Sequence, residues 1–262
     1  MTFERYVYPP TRDPLLEAYE KNFESAFVVL HPFLRVPEEL SWRVRRQYPS
    51  DGEILSRASK CRWSEVAALA GIRNCATMSQ ALLTSIGAIE EHLADYPGRD
   101  ALQKVLENEP LWMPTEGRFE PLLQADLLAA FTMAECKELV YVPEFPQAEP
   151  VEVLSVDALQ KQEKAFPERG SLVAPDESFL VTVDWDSFFC LFYGPRNFLR
   201  RIVDERQLEG FFAEPETEHF WFNWKMGCAT CTVSPEGWPA PAVRLTAFGL
   251  TEPRPLLLPA AR

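Results

Sequence analysis

The stretch from Glu177 to Trp224 (ESFLVTVDWDSFFCLFYGPRNFLRRIVDERQLEGFFAEPETEHFWFNW) restricts the fold most, because strand-type and helix-type patterns follow one another in it with clear punctuation. Phe179–Val183 and Phe188–Tyr193 are short apolar runs rich in β-branched and aromatic residues, which predicts two buried strands. Gly194 and Pro195 close the second run. Pro195 suits a first helical turn, where its missing amide is not needed, and the following Phe198, Leu199, Ile202 and Val203 form an inward stripe opposite Arg196, Arg200, Arg201 and Arg206. From Glu218 the residues alternate strictly. Phe220, Phe222, Trp224 and Met226 share one side, and His219, Trp221, Asn223 and Lys225 the other, as in a half-buried antiparallel strand.

The preceding chain has a different texture. Leu15, Tyr19, Phe23 and Phe27 recur every four residues, which predicts an amphipathic helix over Pro14–Leu30 opened by Asp13 and Pro14. Further helical patterns cover Glu38–Gln47, Trp63–Ile72, Thr77–Leu93, Asp100–Asn108 and Glu120–Cys136. Glu138–Pro143 and Val151–Val156 are β-type runs, and Val156–Phe166 carries a short helix pattern. The expected class is therefore α+β, with a mainly helical portion over residues 1–137 and a portion over 138–262 built on an antiparallel sheet flanked by one or two helices. The boundary rests on composition, and the two portions are also compatible with one continuous domain.

Composition narrows the function. The chain has 262 residues, 47% of them hydrophobic, enough to bury a large core. Its apolar runs are too short for a membrane helix, and residues 1–10 lack the basic-then-apolar order of a signal peptide, so no membrane association and a cytoplasmic location are expected. Six cysteines at irregular positions in apolar segments read as reduced core thiols. The net charge is −13, carried by both halves. Such a surface repels phosphate backbones and favours basic protein partners. The pair of patterns at Trp63–Ile72 and Thr77–Leu93 imitates a helix-turn-helix, but its second member has no Lys or Arg and ends in Glu90 and Glu91, so no nucleic-acid partner is expected.

Three groups of residues offer chemistry. Asp184 and Asp186, in one continuous strand, would project from one face about 7 Å apart, a spacing that suits acid–base work, a divalent cation or simply turn capping. Glu214, Glu216 and Glu218 precede His219, whose charged form three neighbouring carboxylates would favour, although Pro215 and the polar run AEPETEH also fit an exposed loop. Cys228 and Cys231 form a CxxC without the second ligand pair that zinc requires. The GxSxG, GxGxxG and GxxxxGK[ST] patterns are absent, and no metal or cofactor is called for.

The segments WSEVAALAGI and ALLTSIGAIEEHL, together with VDWDSFFCLFYGP and LEGFFAEPETEHFWF, resemble a bacterial family of cytoplasmic proteins known only as a domain of unknown function, over about Ser59 to Phe222. These segments are packing patterns, so the resemblance carries over no catalytic residue. The aromatic strands and acidic surface of the C-terminal half also resemble immunity proteins that neutralise bacterial toxins. The expected function is a non-enzymatic acidic binding module for a basic protein, with Asp184, Asp186, Glu214, Glu216 and Glu218 meeting basic groups and Phe212 or Trp221 as apolar anchor. The alternative is an enzyme, a hydrolase or metal-assisted, using Asp184, Asp186, Glu216 and His219.

Overall fold

The computed structural model describes residues 3–8, 13–19 and 23–219. In chain order its elements are β1 (Ser25–Leu30), β2 (Phe33–Arg35), α1 (Trp42–Arg45), α2 (Asp51–Arg57), β3 (Ser59–Cys61), α3 (Trp63–Ala70), α4 (Cys75–Ile86), α5 (Tyr96–Asn108), β4 (Leu111–Trp112) and α6 (Gln124–Met133). There follow β5 (Glu138–Val142), β6 (Glu152–Ser155), α7 (Val156–Gln160), β7 (Gly170–Val173), β8 (Leu180–Val183), β9 (Phe189–Gly194), α8 (Arg196–Arg206) and β10 (Gly210–Phe212). The result is an α+β protein, helical before residue 138 apart from β1 to β4. Seven strands form an antiparallel sheet in the order β10-β1-β9-β8-β7-β5-β6, and β3-β2-β4 form a second, smaller one.

The helix expected over Pro14–Leu30 is replaced by a 3-10 turn at Leu15–Glu17 and the strand β1. The spacing of four arose from two unrelated causes. Tyr19 and Phe23 belong to an aromatic cluster with Tyr6 and Tyr193, ring centroids 5.1 to 6.1 Å apart, whereas Phe27 faces the opposite side of the sheet against Phe212. All six residues of β1 are buried, so the strand shows no alternation, and a uniformly apolar run does not reveal its own period.

The sheet is covered on both faces. Val28, Leu30, Leu191 and Leu180 pack with Trp63, Val66, Leu82 and Leu102 of α3, α4 and α5. Phe27, Val29, Val181 and Phe192 pack with Leu127, Phe131, Leu159, Leu199 and Ile202 of α6, α7 and α8. Each such Phe or Leu is stabilised by about 2 kcal/mol on leaving water, which makes these two layers the main source of cohesion. Local sequence sets where the helices start. Ser50 and Glu53 form a capping box for α2, Asn74 accepts from Thr77 N at 2.8 Å ahead of α4, and Asp95 accepts from Gly98 N at 3.0 Å for α5. A carboxylate from far along the chain caps α3: Glu209 accepts from the amides of Trp63 (2.7 Å) and Ser64 (3.2 Å). Among the described residues no helix is long and apolar enough to cross a membrane.

Candidate functional site

Strand register decides which residues meet. Leu30 pairs with Phe189, Val183 with Cys190 and Gly170, and Val142 with Ser171, so these strand ends lie together. His31, the 184–188 turn, Arg169 and Glu144 therefore emerge at one end of the large sheet. The 113–118 loop is fastened to them, with Gly117 N donating to Ser187 O (2.9 Å) and His31 Nδ1 bonded to Thr115 O (2.9 Å). Gly117 has φ +64°, and a Cβ there would lie 1.7 Å from Trp185 O, so the close approach of the two loops requires glycine.

β8 ends at Val183, and Asp184 and Asp186 lie in the turn to β9 rather than in the continuous strand assumed from their spacing. Ser187 holds the turn by donating from its hydroxyl to Asp184 O (2.8 Å). This leaves both aspartates half-buried and Trp185 between them 58% exposed. Burial raises the Asp184 carboxyl to about 6, and the charges of Asp186 and Glu144 push the same way. Glu116, on the facing loop, is also raised, first by burial and then by Asp186, while Arg169 opposes the shift.

His219 is 3% exposed and lies beneath this turn. Its Nε2 is 3.4 Å from Asp184 Oδ2 and its Nδ1 is 2.6 Å from the Tyr8 hydroxyl, with the ring 5.4 Å from that of Phe189. The charged form expected from neighbouring carboxylates is overturned, because burial outweighs them and lowers His219 to about 4. Tyr8 is pushed well above its ordinary value, by burial and then by Asp184, so it keeps its proton. The Tyr8 hydroxyl and Nδ1 share one hydrogen bond, and Nε2, at the other side of the ring, faces the Asp184 carboxyl. The arrangement is a buried row in which Tyr8 is hydrogen-bonded to a neutral His219 and that ring lies against Asp184.

The other expected residues lie elsewhere. Phe212 pairs with Phe27 in β10, on the side of the sheet that faces α8, and its ring is covered by the Arg196 guanidinium at 4.5 Å. Glu214 begins a turn closed by Thr217, whose hydroxyl accepts from Glu214 N (2.9 Å). Thr217 O accepts in turn from Leu15 N (2.7 Å). Glu216 and Glu218 are exposed, and among the described residues no hydrogen bond or ion pair joins their carboxylates to the Asp184–His219 pair. Trp221, Cys228 and Cys231, and the alternating strand expected from Glu218 onward, fall beyond residue 219 and so outside the described residues, apart from a single bridge between Glu218 and Pro14. Among the described residues Cys61, Cys136 and Cys190 are free thiols, and no group of three His, Cys, Asp or Glu residues is placed to hold a metal ion.

Sequence reasoning missed Trp185, Tyr8, Glu116 and Glu144. A tryptophan between two aspartates at a strand end was a usable signal for the first. Nothing local marked the other three, which reach the site only through strand register.

Comparison with known proteins finds similarity in the sequence of this chain. It is 24% identical over 228 residues to the uncharacterized protein YwbB of Bacillus subtilis (strain 168), a match that spans 83% of this chain and 99% of YwbB. No solved structure matches. Residues 11–223 match the family described as protein of unknown function (DUF2711). The match covers most of the chain, as the resemblance of its packing segments implied, and the chain belongs to the DUF2711 family.

Proposed function

We propose that the chain is a binding protein that takes up a basic protein segment at the acidic end of its large sheet. The observation that carries this reading is Trp185, a large indole left 58% exposed between two half-buried carboxylates. An indole face attracts a Lys or Arg cation, and carboxylates on either side supply the complementary charge. Glu116 and Glu144 extend the acidic rim, and the net charge of −13 steers a basic partner towards it. Glu214, Glu216 and Glu218 belong to the turn after β10 rather than to the one that presents Trp185, and their part in binding is a separate arm of the test. Neutralisation of a basic toxin, as immunity proteins perform it, is one form this function would take.

The test is affinity capture from lysate of the source cells, with wild type, Trp185→Ala, Asp184→Asn/Asp186→Asn and Glu214→Gln/Glu216→Gln/Glu218→Gln as baits and a lysine-rich peptide as competitor. A basic protein retained by wild type, displaced by the peptide and lost with the first two variants supports the reading. Equal retention by all baits overturns it. A difference confined to the triple glutamine variant moves the surface to the 214–218 turn.

The buried row Tyr8–His219–Asp184 favours a second reading, acid–base catalysis with Asp186 or Glu216 as partner carboxylate. It is tested by screening hydrolase substrates with wild type and His219→Asn: turnover lost in a folded variant supports it, and inactivity of wild type throughout argues against it.

A further inference from the structure

We propose that the acidic turn holds its cationic partner only while Asp184 is ionised, so that capture of a basic group expels a proton and acid releases the partner. This rests on the binding reading above and adds its regulation. The geometry singles out Asp184 among the carboxylates at that end of the sheet. It belongs to the turn that presents Trp185, yet its side chain is directed inward to His219.

Among the described residues, the side chains around it leave its charge uncompensated. From its own turn comes Asp186, and from the chain after β5 comes Glu144, both negative and both raising it. Glu116 lies beyond Asp186, and the cation ahead of β7, Arg169, acts on Glu116 rather than on Asp184. From the segments covering the sheet come His219 and, behind it, Tyr8, both neutral. Burial first, and then the charges of Asp186 and Glu144, hold its carboxyl at about 6 instead of near 3.8, although the Trp185 amide works the other way. A Lys or Arg side chain seated against Trp185 supplies the missing positive charge. It favours the ionised carboxylate, and by reciprocity the ionised carboxylate favours the cation.

The experiment is titration calorimetry of the full chain with an N-acetylated hexalysine peptide, whose side-chain amines stay charged throughout, between pH 5 and pH 8 in two buffers of different ionisation heat. For one linked proton with a midpoint near 6, binding at pH 5 is expected to be about tenfold weaker than at pH 7.5, with buffer-dependent heats that report proton release. Asp184→Asn, which still offers an oxygen to His219, should bind more weakly at pH 7.5 and lose the dependence. Wild-type affinity that is unchanged across this range, or a slope that persists in Asp184→Asn, overturns the inference while leaving the binding reading intact. No binding of the peptide by wild type at pH 7.5 overturns both. Asp186→Asn, expected to weaken binding but keep the slope, shows whether the linked proton belongs to Asp184 or to the cluster as a whole.

Discussion

His31 has a buried ring whose Nδ1 meets a carbonyl, Thr115 O, which can only accept, so Nδ1 carries the hydrogen. Its Nε2 then holds a bare lone pair with no hydrogen-bond partner among the described residues, and burial lowers its pKa to about 4. His219 is lowered to the same value. Because both lie below 6.5, the unfolded chain takes up protons from pH 6.5 downward while the folded one resists until about 4. Each ring therefore contributes stability that is complete above pH 6.5 and lost as the pH falls through 4, about 3 kcal/mol apiece. Asp184, raised from 3.8 to about 6, acts in the opposite sense: its contribution is complete below 3.8 and lost as the pH rises through 6, so it offsets part of the acid loss. Urea unfolding at pH 7 and pH 4 checks this. Wild type should lose stability on acidification, and His31→Asn, though weaker at pH 7, should lose about 2 kcal/mol less. An equal loss in both proteins would refute a neutral buried ring. None of this was legible in the sequence, where His31 is a lone histidine before a proline and its carbonyl partner lies 84 residues away.

At the scale of single elements, the sequence was informative where one face of a segment is wet or where turn residues set it off. The exposed arginines of α8 marked its inner stripe, and the strands β5, β6, β8 and β9 were announced by their punctuation, although β8 and β9 are wholly buried. β1 is buried in the same way, by α3 to α5 on one side and by α6 to α8 on the other, but no Gly or Pro separates it from the aromatic repeat before it, and so it was misread. That burial can be checked directly. Val28→Thr and Val29→Thr keep shape and strand propensity but bury a hydroxyl, and each should cost about 1–3 kcal/mol in chemical denaturation. A strand with one solvated face, or a helix, would tolerate one of the two. The short strands β2, β3 and β4 were also missed, since two or three residues are too few to display any period.

Across the whole molecule, the α+β class was legible from texture, whereas the candidate site was not. Asp184 and His219 could be named as chemical candidates, but their meeting depends on strand register and on a return of the chain after β10 that no local pattern encodes. The same long-range assembly produces the one buried aspartate of α6. Asp126 is held by Lys60 of β3 and by Arg206 of α8, so one carboxylate joins the small sheet to helices from both halves of the sequence. Asp126→Asn keeps the shape but removes the charge opposing two cations, and a loss of about 2 kcal/mol in thermal or chemical unfolding is expected. No measurable loss would mean that the two cations find adequate solvation without it.

Tyr8 reaches His219 from the far side of the sequence and closes over a ring that itself shields Asp184. A short segment that supplies no residue of the acidic turn thus covers the imidazole beneath it. Trimming or re-routing residues 3–8 would admit water to the imidazole and return Asp184 towards an ordinary aspartate, erasing acid sensitivity without altering a single residue of the surface that meets the partner.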